Sequence, residues 1–186
     1  MKITNTWMKD HNACKEAFME WEKRGCESNP IKVIDLAMEM NRFDWANWLI
    51  VRIMSYKHYV SYAVFAAEQV IDVYEKKYPD DKRPRIAINA AKACITNPSI
   101  KNKTAAAYAA DAAVAAAYAA DADADADAVA AADAAVAAGY AAYAAAAASD
   151  VSAAIAVAAA VAADADAAAD AAAKKKKIIN YGVSLL

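Results

Sequence analysis

The sequence predicts an all-α protein, a multi-helix bundle whose C-terminal half is made of closely packed alanine-rich helices. Two observations carry this. In the first hundred residues the apolar side chains recur at the three- and four-residue spacing of a helix face. From Thr104 to Ala173, alanine then fills roughly two positions in three, and alanine has the highest intrinsic helix propensity. The 186 residues fit one compact unit with two parts, an amphipathic part over 1–103 and an alanine- and aspartate-rich part over 104–186.

The elements of the first part are read from their stop signals. Gly25, Ser28, Asn29 and Pro30 end one helix, and Pro30 suits the first turn of the next, over about Ile31 to Met40. Asp44 is the expected N-cap of a helix carrying Trp45, Trp48, Leu49, Ile53 and Tyr56. Val60, Ala63, Val64, Ala67, Val70, Ile71 and Tyr74 form the core stripe of one longer helix, closed by the turn Tyr78-Pro79-Asp80-Asp81. A shorter helix begins near Pro84 and runs to about Ile95, where Asn97-Pro98-Ser99 closes it.

The alanine tract is too long for one straight helix, since about seventy residues at 1.5 Å each exceed 100 Å. Corners are expected at the run from Asp121 to Asp127 and at Ser149-Asp150, dividing it into about Thr104 to Asp121, Asp127 to Ala148 and Asp150 to Asn180. Gly139 is a weaker corner, because a glycine inside such a helix also permits close approach. The large residues are expected in the core: Val114 with Tyr118, Val136 with Tyr140 and Tyr143, Val151 with Ile155, and Val157 with Val161. At the end, Ile178, Tyr181 and Leu185 form one stripe and Ile179, Val183 and Leu186 another, so the tail is expected to dock.

Charge is distributed unevenly. The formal net charge is -2, yet 1–103 carries about four excess positive charges, Thr104 to Ala173 carries ten aspartates and no lysine or arginine, and Lys174 to Lys177 form a basic cluster. The two parts should attract each other, and nucleic acid is a poor partner for so acidic a tract. A membrane span over Ala128 to Ala163 is disfavoured by Asp133 and Asp150 and by the shortage of larger aliphatics. An ice-binding helix would need regularly spaced threonines, and an EF-hand loop starting at Asp121 lacks its turn glycine at Ala126 and its glutamate at Ala132. With an odd set of three cysteines, Cys14, Cys26 and Cys94, and a polar start, the expected location is the cytoplasm.

No catalytic constellation emerges. His11 and Cys14 share a face without a second ligand pair, no glycine-rich phosphate loop is present, and two histidines leave little general-base capacity. No metal, cofactor or catalytic residue is therefore expected. The better constellation is polar and aromatic. Trp45, Trp48, Arg52 and Tyr56 fall on one helix face, Glu68, Asp72 and Glu75 form an acidic stripe, and Arg83 and Arg85 follow the turn. Arg83 and Arg85 either pair with carboxylates and lock helices together or, with the indoles, bind an anionic, nucleotide-like ligand.

Three stretches carry a resemblance: Trp45-Ala46-Asn47-Trp48-Leu49-Ile50, Tyr62-Ala63-Val64-Phe65-Ala66-Ala67-Glu68-Gln69-Val70, and the segment from Tyr78 through Arg83-Pro84-Arg85 to Ala91. They resemble the immunity-protein family grouped near the polymorphic-toxin immunity proteins, whose alanine-tailed relatives are similar to bacteriophage sequences. The similarity runs from about Asn12 to Ala93 and recurs in Tyr181-Gly182-Val183-Ser184-Leu185-Leu186. Many members carry a histidine in the alanine-rich stretch, and this tract has none. The resemblance implies a helical bundle of bacterial or phage source, at work in a bacterial host cell, that neutralises a toxin or defence effector; the lack of a catalytic constellation makes a non-enzymatic mode the expectation. Sequestering a small anionic signal is the second form of that expectation. A structural module with alanine-lined faces that form homo-oligomers is the alternative.

Overall fold

The computed structural model describes residues 1–122, 126–146 and 168–186. Among these the chain forms ten helices and no strand: α1 (Asn5–Asp10), α2 (Lys15–Lys23), α3 (Pro30–Glu39), α4 (Phe43–Ile53), α5 (Tyr56–Glu68), α6 (Ile71–Lys77), α7 (Arg83–Thr96), α8 (Ile100–Asp121), α9 (Ala126–Ala146) and α10 (Ala168–Ser184). The all-α multi-helix bundle is thus present, with its alanine-rich helices closely packed.

Local chemistry explains most boundaries. Thr4, Asn29, Ser55 and Ser99 cap α1, α3, α5 and α8 with side-chain oxygens that accept the first free backbone N–H groups. Pro30 starts α3 as its spacing suggested. Asp44 does not cap α4. Arg42 takes the cap position, and Asp44 sits in the first turn with its carboxylate clamped by the Arg42 guanidinium at 2.9 and 2.7 Å. There a negative charge still suits the positive end of the helix dipole.

The expected long helix from Val60 to Tyr74 is instead two. The Gln69 amide donates to the Phe65 carbonyl at 3.0 Å, while the Gln69 and Val70 N–H groups turn back to Ala66 and Ala67. This tightens and ends α5. The break also lets the adjacent Val70 and Ile71 both be buried, which a continuous helix would hold about 100° apart. Likewise α8 starts at Ile100, a turn before Thr104, because Ser99 accepts the Asn102 N–H.

Helices α8 and α9 form an antiparallel pair: Gly139 lies against Val114, Ala110 and Ala113, and the Tyr143 hydroxyl donates to Asp111. A Cβ on Gly139 would stand 3.1 Å from Val114 Cγ2 and 3.3 Å from the Ala110 carbonyl oxygen, so the glycine serves close approach within α9 rather than a corner. Helix α9 also packs on α5, α6 and α7. Asp127–Ala146 is long and apolar enough to cross a membrane, yet here it is a central helix of the bundle.

Its interior surface is alanine. Ala128, Ala131, Ala132, Ala134, Ala135, Ala137, Ala138, Ala141, Ala142, Ala144 and Ala145 are buried, as are seven alanines of α8. The large residues do not fill the core as expected. Tyr118 is 74% exposed, Tyr143 is exposed at its edge, and Val114, Val136 and Tyr140 are half-buried. A helix surrounded by α5 to α8 has room only for methyl groups at dense packing, so bulk is driven to a face on which none of the other described helices packs. Val151, Ile155, Val157, Val161 and the Ser149-Asp150 corner lie outside the described residues, as does the middle of the Asp121 to Asp127 run.

The tail docks on α4 and α5 through α10. Ile178 and Ile179 are buried, Tyr181 stacks on Phe65 at 4.0 Å, and Gly182 meets Tyr62 and Ile50. Leu186, from the second expected stripe, stays exposed.

Candidate functional site

The six residues of the polar and aromatic set are distributed over three places. Trp45 and Trp48 line two hollows between α1, α2, α3 and α4. The inner one, about 50 Å³, is walled by apolar side chains including Met8, Trp21, Val33, Leu36, Met40 and Leu49, with Glu20 and Arg24 beside them. The outer, about 280 Å³, is lined by Asn12, Ala13, Cys14, Ala17, Asp44, Trp45 and Trp48. Ala17 and both indoles are common to the two.

Each indole has a guanidinium over one face, Arg42 at 3.6 Å from Trp45 and Arg52 at 4.3 Å from Trp48. Arg52 also donates to the Trp48 carbonyl, and burial lowers its pKa. It lines neither hollow. The Trp45 Nε1–H is buried and has no partner among the described residues, a condition that costs about 1–3 kcal/mol.

Tyr56 serves elsewhere. Its hydroxyl donates to the Ala145 carbonyl at 2.5 Å, and Lys103 lies 4.6 Å from its ring centroid. Burial first, then the neighbouring Cys94 and Tyr59, push its pKa up to about 12, so it stays a neutral donor that fastens α5 to the end of α9.

Arg83 and Arg85 are each taken up by a carboxylate. Arg83 donates to both oxygens of Asp81 at 3.0 and 2.6 Å, and Arg85 binds Glu75 at 2.8 and 2.6 Å. Tyr74 completes the first cluster, donating to Asp81 at 2.7 Å. The guanidinium of Arg83 holds the Asp81 carboxyl far below its ordinary value, and Arg85 does the same more mildly for Glu75. These pairs close the turn between α6 and α7. Neither arginine lines the hollows of Trp45 and Trp48.

His11 stacks on Trp7 at 4.0 Å with Nδ1 2.8 Å from the Trp7 carbonyl, and the Cys14 thiol accepts the Ala17 N–H at the start of α2. Among the described residues no group of three His, Cys, Asp or Glu side chains is placed to hold a metal ion.

A second surface was not singled out from the sequence. On the outer side of α8 and α9 a shallow groove of about 360 Å³ runs between Val114, Ala117, Tyr118 and Asp121 on one helix and Ala132, Asp133, Val136, Tyr140 and Tyr143 on the other. Tyr108, 73% exposed, and Asp111 continue the same face of α8. The signal was in the spacing. Tyr108, Asp111 and Tyr118 fall at i, i+3 and i+10, and Val129, Asp133, Val136 and Tyr140 at i, i+4, i+7 and i+11. A tyrosine or valine spaced so from a solvated aspartate must share its exposed face.

The chain matches no family model, no curated protein and no solved structure.

Proposed function

We propose that this protein is a non-catalytic binder whose outer α8–α9 face covers a basic surface of a protein partner. One observation carries the reading: four tyrosines lie on or near an open face interspersed with aspartates, while the alanines of the same helices are buried. Tyrosine is a favoured residue at the energetic centres of interfaces, and contiguous exposed aromatic surface marks interaction sites. From Thr104 to Ala173 no lysine or arginine offsets the aspartates. Two such faces repel one another, which favours a cationic partner over a second copy. The alanine faces, needed for the homo-oligomer alternative, are in use between α8, α9 and α5 to α7.

Together with the resemblance of the first part to immunity proteins, this face suits occlusion of a basic toxin or defence effector in a bacterial cell. An anionic small-molecule ligand is less well served, since Arg83 and Arg85 are held by Asp81 and Glu75. The test is photo-crosslinking from position 118 in the full chain, followed by affinity measurements with the captured protein. A basic partner is expected, and the double variant Tyr108→Ala/Tyr118→Ala should bind at least about tenfold more weakly, as for interface tyrosines of about 2 kcal/mol. Unchanged affinity in that folded variant overturns the reading.

A further inference from the structure

We propose that the groove between α8 and α9 seats an arginine side chain of the protein partner, with the guanidinium stacked on the Tyr118 ring and paired with Asp121. The inference rests on the function proposed for this face and adds to it which cation the partner presents.

The walls suit the body of that side chain. Tyr118, Tyr140 and Tyr143 bring three phenol rings to a groove of about 360 Å³, which has room for a long side chain but not for a helix about 10 Å across. Val114, Ala117 and Val136 line it as well and offer an apolar bed to the methylene stem. A guanidinium is planar and more weakly hydrated than an ammonium, so it stacks on a phenol ring at a smaller desolvation cost. The Tyr143 hydroxyl donates to Asp111. That ring is thereby held before the partner arrives, which limits the ordering cost of binding.

The charges suit its head. Asp121 lines the groove, is exposed, and forms no ion pair among the described residues. It is also the last residue of α8, whose last turn holds no basic side chain. A carboxylate there opposes the negative end of the helix dipole, so its charge works against α8 until a cation arrives. A guanidinium supplies that cation and can bind both carboxylate oxygens at once. Asp133 on the facing helix adds to the negative field, and no lysine or arginine lines the groove to compete.

Two blocked peptides of equal length and charge, glycine alternating with arginine in one and with lysine in the other, separate arginine recognition from general attraction between opposite charges. Both would be titrated into the full chain at low ionic strength, with the tyrosine ring resonances followed by carbon-13 correlation spectroscopy and Tyr118 assigned through Tyr118→Leu. The arginine peptide is expected to bind at least about fivefold more tightly than the lysine peptide and to shift the Tyr118 ring signals. Tyr118→Leu, which keeps an apolar side chain and removes the ring, should cut that preference to below about twofold. Asp121→Asn should weaken the arginine peptide at least about fivefold, and both residues are exposed, so the variants should melt close to the parent. The proposal fails if neither peptide binds, if the preference survives Tyr118→Leu, or if Asp121→Asn binds the arginine peptide as the parent does. Equal binding of the two peptides, with the captured partner still weakened by Tyr108→Ala/Tyr118→Ala, overturns the arginine pocket alone. Unchanged partner affinity in that double variant overturns the face itself.

Discussion

Asp81 serves three donors at once, the Arg83 guanidinium, the Arg83 backbone N–H and the hydroxyl of the buried Tyr74. Its depressed pKa makes this a pH-dependent contribution. Because the folded value lies below the ordinary 3.8, the stabilisation is fully present above that range and is lost as pH falls from there through the folded value. Asp81→Asn should cost about 1–2 kcal/mol at pH 7, a figure kept low because the Arg83 side chain is 41% exposed. Urea denaturation at several pH values should show the gap between parent and variant shrinking from about pH 4 downward. A different constraint acts at Gly182, where a Cβ would stand 2.9 Å from Tyr62 Cε2 and 3.1 Å from Ile50 Cγ2. Tyr62 is fully buried and has nowhere to move. Gly182→Val should therefore destabilise by about 1–3 kcal/mol, and hydrogen exchange should locate the loss in α10 and the helices beneath it.

At the scale of the element, α8 and α9 invert the usual relation between size and burial. Each buried methyl removes little apolar area, about 0.8 kcal/mol per carbon group, and what the pair gains instead is close backbone approach and dense dispersion contact. Enlarging a buried alanine should therefore harm more than deleting an exposed tyrosine. Ala138→Leu is expected to lower stability by about 1–3 kcal/mol through overpacking, while Tyr118→Ala should stay within about 0.5 kcal/mol. Thermal unfolding of the two variants checks the order, and a reversal would place the tyrosine face inside. The same elements show what was legible beforehand. The existence of α3, α7, α8 and α9 followed from proline positions and alanine content, and that of α4 from its apolar spacing although Asp44 is not its cap, all of which act within a few residues. The break at Gln69 and the outward tyrosines were not foreseen, because each depends on what surrounds the helix. The break lets Val70 and Ile71 face one core, and the tyrosines are displaced by the neighbours of α9.

Across the whole molecule the uneven charge sets how a partner would approach. The surface presented by α8 and α9 is acidic and aromatic, and long-range attraction to a basic protein is screened over about 10 Å at 0.1 M salt. Association with the partner captured from position 118 should slow by an order of magnitude or more between low and physiological ionic strength, while dissociation changes less. Stopped-flow fluorescence would separate the two rates. Of the candidate ligand set, the sequence supplied the residue types, and folding sorted them: Trp45 and Trp48 to a cleft, Tyr56 to the end of α9, Arg83 and Arg85 to carboxylates only 2 and 10 residues away in the chain. Spacing on one helix could place Trp45 beside Trp48, but no local rule says which cation an Asp81 or a Glu75 will claim. By itself, then, the sequence determined that the chain is helical and that its second half packs through methyl groups, because propensity and composition act locally. Only the tertiary structure decided which face of that half is open and which charged groups are already satisfied, because both depend on what lies across the interface from each side chain.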